Sequence, residues 1–177
     1  MDLALDVRPT SDGTRRTARE RRRRRRNAVL VGAAVTAAAV AGSAGVRADS
    51  RWFRSLAKPS WYPPQAAFPV VWTTLYGAIA WSSTRALNRA PRGRRREVTT
   101  TLGTNLALNA GWTWAFFRAQ RPGLAVAEAV ALDASTVSLI RTVGRHDRAA
   151  GVVLLPYLAW NLFATALTES IWYRNTP

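Results

Sequence analysis

The sequence predicts an all-α membrane protein built as a five-transmembrane-helix bundle. Hydrophobic residues make up 48% of the 177-residue chain, and they are segregated into five long apolar blocks instead of being spread evenly. Clusters of arginine separate the blocks, and positive charge at the ends of apolar segments is typical of membrane spans. Tryptophan and tyrosine recur near the block ends, where the membrane–water boundary favours apolar rings with a polar edge.

The N-terminal residues 1–26 are polar and end in six consecutive arginines. Because like charges repel, this segment is predicted to be a disordered, arginine-rich cytoplasmic tail whose last turn lies against anionic headgroups.

The first span is predicted at 27–46. An arginine-rich start and the small-x-small ending Val46-Arg47-Ala48 also fit a secretory or twin-arginine signal peptide, and a mature N-terminus near Asp49 would establish that alternative.

A proline-rich, aromatic segment follows the first span. Four prolines between residues 58 and 69 remove backbone donors and favour extended geometry, so a stiff loop is expected. The loop leads directly into the second predicted span, 68–87. Pro69 suits the first turn of this helix, where its missing N–H costs nothing.

The remaining spans are predicted at 98–118, 122–141 and 150–172. Pro122 is placed to begin the fourth span, and Pro156 is expected to bend the fifth. Seventeen basic residues lie between Arg15 and Arg26 and in the two basic loops, against seven on the opposite side. This bias predicts a cytoplasmic N-terminus.

The composition excludes several kinds of chemistry. The chain has no cysteine and a single histidine, His146, so disulfides, thiol catalysis and His- or Cys-based metal sites are not expected. No catalytic triad, phosphate-binding loop or H-E-x-x-H motif is present, and we assign no catalytic residue and no metal ligand. The formal net charge of +16 could indicate nucleic-acid binding, but no nucleic-acid motif accompanies it, so no such partner is expected.

The third span has two distinct faces. Asn105, Asn109 and Trp112 lie on one side at about 100° per residue. Amides are costly in lipid and should face the bundle interior, although they could simply tie neighbouring helices together. Small residues suited to helix–helix contact recur every four positions on the other side: Gly103, Ala107 and Gly111.

The chain contains eight tryptophans, more than boundary anchoring explains. Anchoring accounts for Trp52, Trp61 and Trp172. The other candidates share a face with polar or small residues, and several indoles around a gap form a pocket suited to a flat aromatic ligand: Trp72, Trp112 and Trp160.

Two carboxylates lie in the fourth span, Glu128 and Asp133. A carboxylate near mid-bilayer costs about 2.5–3.5 kcal/mol, which makes each a functional candidate. The alternative is that one pairs with a polar neighbour or stays neutral and the other reaches the membrane surface.

Three ordered stretches resemble the translocator protein family, also called the tryptophan-rich sensory proteins or TspO/MBR, over about residues 28–175. The first is Lys58-Pro59-Ser60-Trp61, then Pro63-Pro64 and Pro69-Val70-Val71-Trp72-Thr73-Thr74-Leu75-Tyr76. The second is Leu106-Ala107-Leu108-Asn109 with Trp112, Phe116 and Phe117. The third is Pro156-Tyr157-Leu158-Ala159-Trp160, then Phe163-Ala164-Thr165-Ala166-Leu167 and Ile171-Trp172.

The resemblance implies a homodimer in a bacterial cell membrane, with a pocket in each protomer beneath the first loop. The ligand implied is a tetrapyrrole, a porphyrin or haem, or another flat aromatic small molecule, with no obligatory cofactor. The implied ligand-binding residues are Trp72, Asn109, Trp112, Trp160, Ala164 and Leu167. The implied loop over the pocket comprises Lys58, Pro59, Trp61, Pro63 and Pro64. Glu128 matches the family's acidic residue, and Gly103, Ala107 and Gly111 match its dimer stripe.

The resemblance implies a role in sensing or transport. Two alternatives stay open: a light-assisted porphyrin-degrading enzyme that uses the same indoles, and a membrane scaffold without a small ligand.

The chain also departs from the family. Ala66 stands where a tryptophan is usual, and Glu169 interrupts the sterol-recognition motif, so cholesterol binding is not expected.

Overall fold

Each of the five apolar blocks forms a helical segment in a computed structural model, which describes residues 11–176. A 3-10 turn, Arg92–Arg94, precedes the third long segment, and a π-helical turn, Trp114–Arg118, ends it. The α-helices are α1 (Ser11–Gly45), α2 (Arg51–Ser55), α3 (Ala67–Arg89), α4 (Arg95–Thr113), α5 (Pro122–His146), α6 (Arg148–Val153) and α7 (Leu155–Arg174).

The chain is an all-α membrane protein with a five-helix bundle. Three described helices are long and apolar enough to cross a membrane by length and composition: Thr17–Gly45, Pro122–His146 and the combined Arg148–Arg174. The two other long segments, α3 and α4, contain more serine, threonine and asparagine. Several of these polar side chains, including Ser82, Ser83 and Asn105, are fully buried between helices.

The arginine-rich segment differs from the prediction of a disordered tail. Residues 1–10 lie outside the described part of the chain, but α1 begins at Ser11 and continues through the arginines without a break. Arginine is a good helix former, and an apolar helix that is already packed can extend cheaply by adding turns at its end.

The long helices pack around α4 and α5. α4 lies between α1 and α5, α7 packs along α5, and α3 packs on α1. At one end of the bundle, which we call the arginine end, the α3–α4 and α5–α6 connections meet the start of the apolar part of α1. The core beneath this end is aliphatic and closed, with Ile79, Leu139, Val143 and Leu154 fully buried.

A single buried carboxylate organises the arginine end. Asp147 accepts hydrogen bonds from Arg85 Nε at 2.5 Å and from the Ala150 backbone N–H at 3.2 Å, and it also pairs with Arg89. It thereby joins α3 to the start of α6. The Arg85 hydrogen bond holds the pKa of this carboxyl below its ordinary value of 3.8, so Asp147 is charged at neutral pH.

The fifth span is interrupted where a bend was expected. The interruption lies at Leu154, and Pro156 sits in the first turn of α7, where it needs no hydrogen-bond donor. α6 approaches α5 closely, because a Cβ added at Gly151 would lie 2.9 Å from Gly144 Cα.

Candidate functional site

The end of the bundle opposite the arginine end contains a cavity of about 500 Å³. We call this half the cavity end. Residues from α1, α3, α4, α5, α7 and the first loop line the cavity, and none of the described lining residues is charged. All six residues predicted to bind a ligand are among them: Trp72, Asn109, Trp112, Trp160, Ala164 and Leu167.

The three predicted indoles are held by other rings at the cavity wall. Trp72 lies 5.4 Å from Tyr76 between ring centroids, and Trp160 lies 5.9 Å from Phe68. Trp112 stacks on Phe116 at 5.3 Å with nearly parallel planes. Such contacts fix the orientation of each ring, so the wall is preformed.

The π-helical turn contributes a further part of this wall. Ala119 N–H bonds to Trp114 O, five residues earlier, which is the π pattern. Phe116 and Phe117 lie within this turn, pack edge-to-face at 5.0 Å, and both line the cavity. Gln120 then adopts a positive φ of 54° as the chain reverses into α5.

The first loop covers the cavity through residues other than the five predicted. Tyr62 and Gln65 of the loop line the cavity, together with Phe68 and Pro69 from the first turn of α3. The predicted loop residues Lys58, Pro59, Trp61, Pro63 and Pro64 are not among the lining residues; they lie in the same loop, outside the lining surface.

Two of those predicted residues have clear structural roles instead. Lys58 Nζ donates to Phe53 O at 2.7 Å and lies 4.4 Å from the centre of the Phe53 ring. Trp61 packs edge-on against Phe163 of α7 at 5.6 Å. Both contacts stabilise the loop, and the Lys58 contact holds it against α2, the short helix within the predicted loop.

A residue near the C-terminus anchors the loop to α7. Asn175 Oδ1 accepts from Ala57 N–H at 2.9 Å, and Asn175 Nδ2 donates to Ala57 O at 3.0 Å and to Ile171 O at 2.7 Å. One side-chain amide thus satisfies both backbone groups of Ala57. Sequence reasoning missed this residue, because a polar residue after the last span has no pattern that identifies its partner.

A chain of hydrogen bonds joins the polar residues beneath the aromatic wall. Tyr76 OH donates to Asn109 Oδ1 at 2.7 Å, and Asn109 Nδ2 donates to Tyr157 OH at 3.2 Å. Tyr157 OH donates to Asn105 Oδ1 at 3.0 Å, and Asn105 continues to Thr136. The interpretation that these amides tie helices together is therefore correct for Asn105, while Asn109 both ties helices and lines the cavity.

The network ends in an atom without a partner. Asn161 Nδ2 donates to Thr136 Oγ1 at 3.0 Å, but its Oδ1 is buried and accepts no hydrogen bond. The indole N–H groups of Trp112 and Trp160 are likewise buried and unpaired. All three side chains line the cavity. Unsatisfied buried polar atoms are costly, so these two donors and one acceptor suit a ligand with complementary polar groups.

The two intramembrane carboxylates have different surroundings. Asp133 Oδ2 accepts from Thr165 Oγ1 of α7 at 2.8 Å, which matches the expected pairing with a polar neighbour, although its other oxygen has no partner. Glu128 lies against Gly111, where an added Cβ would overlap its Oε1 atom. Neither carboxylate is among the residues that line the cavity.

The small-residue stripe divides between two environments. Gly103 and Ala107 are exposed on the outer surface of α4, as a helix-contact surface requires. Gly111 is partly covered by Glu128 of α5. The outward surface available for contact therefore centres on the first two residues.

A second, shallower groove lies outside the cavity between α1 and α3. It is lined by residues that include Val35, Ala39 and Thr73. Among the described residues, two side chains, Ser43 and Tyr76, line both the groove and the cavity.

The sequence of the chain is similar to those of known proteins. The model of the TspO/MBR family matches residues 28–174. The translocator protein of Ovis aries is 32% identical over 128 residues, which cover 71% of this chain and 75% of that protein.

Microbial proteins match to a similar degree. The tryptophan-rich protein TspO of Archaeoglobus fulgidus is 35% identical over 124 residues, covering 70% of this chain and 80% of that protein. Protein CrtK of Rhodobacter capsulatus is 32% identical over 141 residues, covering 78% of this chain and 88% of that protein.

Proposed function

The chain belongs to the TspO/MBR family, and we propose that it binds a tetrapyrrole, a porphyrin or haem, in its aromatic cavity and acts in sensing or transport. Some relatives carry the names translocator protein and tryptophan-rich sensory protein. The observation that carries the proposal is the cavity of about 500 Å³ lined by Trp72, Trp112 and Trp160. This volume lies in the range of small-molecule sites, and indole faces stack well on flat conjugated rings.

Stacking and hydrogen bonding would hold the ring. The unpaired indole N–H groups of Trp112 and Trp160 can donate to carboxylate or carbonyl oxygens, and Asn161 Oδ1 can accept from an N–H group. The described residues that line the cavity include no histidine, cysteine or methionine, the usual axial ligands of haem iron. Iron ligation is therefore a minor part of the proposal.

Fluorescence quenching by protoporphyrin tests the cavity. Trp72→Ala and Trp160→Ala, measured in detergent, should each weaken binding about tenfold, because each removes a stacking surface worth roughly 1–1.5 kcal/mol. Trp81→Ala is the matched control, since Trp81 lies on the same helix as Trp72 but is 46% exposed and does not line the cavity. Unchanged affinity in both cavity variants would overturn the assignment.

Light-assisted porphyrin degradation is the alternative that the same indoles support. Absorption spectra recorded during illumination of the purified protein with protoporphyrin separate the two functions. A binding protein shifts the porphyrin bands, whereas an enzyme bleaches them and yields new products. A scaffold without a small ligand would show neither saturable binding nor bleaching.

We also propose a homodimer and a cytoplasmic N-terminus. Exposed Gly103 and Ala107 on α4 support the dimer, because small residues let helices approach closely in lipid. The concentration of arginine at one end supports the orientation. Cross-linking at a cysteine introduced in place of Thr104, which is exposed between them, tests the first proposal, and labelling of a terminal tag in sealed vesicles tests the second.

A further inference from the structure

Four guanidinium groups gather at the arginine end, and among the side chains that the structure describes no carboxylate pairs with them. They come from α1, from the α3–α4 connection and from the first residue of α4, and we call them the arginine cluster: Arg23, Arg26, Arg92 and Arg95. Arg23 Nη2 donates to Asn88 O at 3.5 Å, and Arg95 Nε donates to Ala90 O at 3.3 Å. Two neighbouring backbone carbonyls therefore hold arginines from different helices.

The start of α1 is held in place beside this connection. Asn27 is 5% exposed, and its Nδ2 atom donates to Asn88 Oδ1 at 2.9 Å. Because Asn27 lies four residues after Arg23, this buried bond fixes the helix turn that carries Arg23 and Arg26. The cluster is therefore part of the packed bundle and differs from arginines that extend into solvent.

Two acidic side chains at this end pair with arginines outside the cluster, and a third, Glu20 of α1, is exposed. Glu97 pairs with Arg94 at 3.2 Å and with Arg145 at 3.0 Å, and Asp147 pairs with Arg85 and Arg89. Within residues 17–176, no carboxylate is within 4 Å of a nitrogen atom of the cluster.

The arginines of the cluster repel one another. Partial burial, and then the charges of Arg23, Arg92 and Arg26, lower the pKa of Arg95. In addition, the Nε atom of Arg23 is buried and has no hydrogen-bond partner. A buried donor and concentrated positive charge both favour an anion that can accept several hydrogen bonds at once.

The position of the cluster identifies the kind of anion. It lies where the apolar part of α1 begins, and the next turn exposes Val29 by 63% and Leu30 by 58% on the outer surface. Guanidinium groups directly above exposed aliphatic side chains match the headgroup and acyl chains of a lipid. We propose that the arginine cluster is a binding site for the phosphate headgroup of an anionic phospholipid in the surrounding leaflet.

The test measures lipid retention by the full-length protein. Native mass spectrometry in a neutral detergent follows titration with phosphatidylglycerol and, separately, with zwitterionic phosphatidylcholine. The wild type should retain phosphatidylglycerol saturably and at least about tenfold more tightly than phosphatidylcholine. Equal retention of the two lipids would overturn the proposal.

A matched pair of variants separates the site from general positive charge. Arg23→Gln with Arg95→Gln should weaken phosphatidylglycerol binding about tenfold or more, since each removes a charge-assisted, forked hydrogen-bond donor to the phosphate. Arg24→Gln with Arg96→Gln removes the same charge from adjacent exposed positions and should change affinity less than about twofold. Similar losses in both pairs would show a diffuse charge effect and no site.

Two further measurements complete the test. If the glutamine pair does not fold, Arg23→Lys with Arg95→Lys keeps the charge but removes the forked donors, and it should still lose several-fold in affinity. A short single-stranded oligonucleotide is the competing polyanion. If it displaces the lipid at physiological salt and binds more tightly, the surface is a nucleic-acid site and the lipid proposal is wrong.

Discussion

The two ends of the bundle use opposite kinds of packing. At the arginine end, aliphatic side chains fill the core, and the buried carboxylate of Asp147 joins helices through charged hydrogen bonds. At the cavity end, aromatic rings enclose about 500 Å³ of space, and the hydrogen bonds that join Tyr76, Asn109 and Tyr157 are between uncharged groups.

This difference indicates a division of labour along the helices. Close packing and charge-assisted hydrogen bonds stabilise a helical bundle, whereas a cavity forgoes packing contacts. Changes at the arginine end should therefore affect stability, and changes at the cavity end should affect ligand affinity.

The largest effect is expected from Asp147→Ala. This change leaves Arg85 and Arg89 without their buried partner and removes the side chain that caps the N-terminus of α6. It should lower the free energy of unfolding by about 3 kcal/mol. Thermal unfolding in detergent measures this loss, and protoporphyrin affinity should change less than twofold. The control is Glu97→Gln, whose more exposed ion pairs should contribute less than about 1 kcal/mol. Equal losses of stability in the two variants would contradict the division of labour between the ends of the bundle.

The pH dependence of the same site sharpens this prediction. Because the pKa of Asp147 is lowered on folding, its charged form stabilises the protein above pH 3.8 and loses that contribution as the pH falls further. The stability difference between the wild type and Asp147→Asn should be largest at neutral pH and shrink below about pH 3.8. A difference that grows on acidification would show that another group is responsible.

Ala164→Phe is expected to have the next largest effect, which is on ligand affinity at the cavity end. The added ring would occupy the cavity that Ala164 lines, so protoporphyrin affinity should fall more than about tenfold, or 1.4 kcal/mol. Ala166→Phe is the control, because Ala166 is exposed on the outer surface of the same helix. Binding that survives Ala164→Phe would place the ligand elsewhere.

The smallest effect is expected from Asn175→Ala, which releases the loop from α7. Losing the two hydrogen bonds to Ala57 should weaken the loop contact by about 1 kcal/mol and speed porphyrin dissociation about fivefold in stopped-flow measurements. In the control, Thr176→Ala, the lost bond is to Trp172 O in the preceding turn. If both variants release porphyrin at the wild-type rate, the loop does not control exit.

The fold was largely predictable because hydrophobic burial acts on whole segments. Each segregated apolar block corresponds to one helical segment, and Pro122 marks the start of α5, but α1 begins at Ser11, well before its predicted start at residue 27. The short helix α2 was not predicted. It depends on Ser50, whose hydroxyl accepts from Phe53 N–H at 3.2 Å, and on the burial of Phe53 among distant rings.

The cavity residues were predictable where a side chain is unusual for a membrane helix. The indoles and Asn109 drew attention because polar or amphipathic groups in lipid need a partner. Asn161 could have been found by the same rule. Phe116 and Phe117 were not predicted as cavity residues from periodicity, since an α-helical projection does not describe a π turn.

That π turn makes the length of the third segment matter. Each residue of an α-helix adds about 100° of rotation. Deleting one residue between Trp114 and Arg118 would restore the regular α-helical repeat. The aromatic rings that precede the deletion and those that follow it would then no longer face the same side of the helix. Spacing between Asn109 and Pro122 is therefore as much a part of the binding surface as the identity of any residue in it. Insertions and deletions there should be tolerated far less than substitutions.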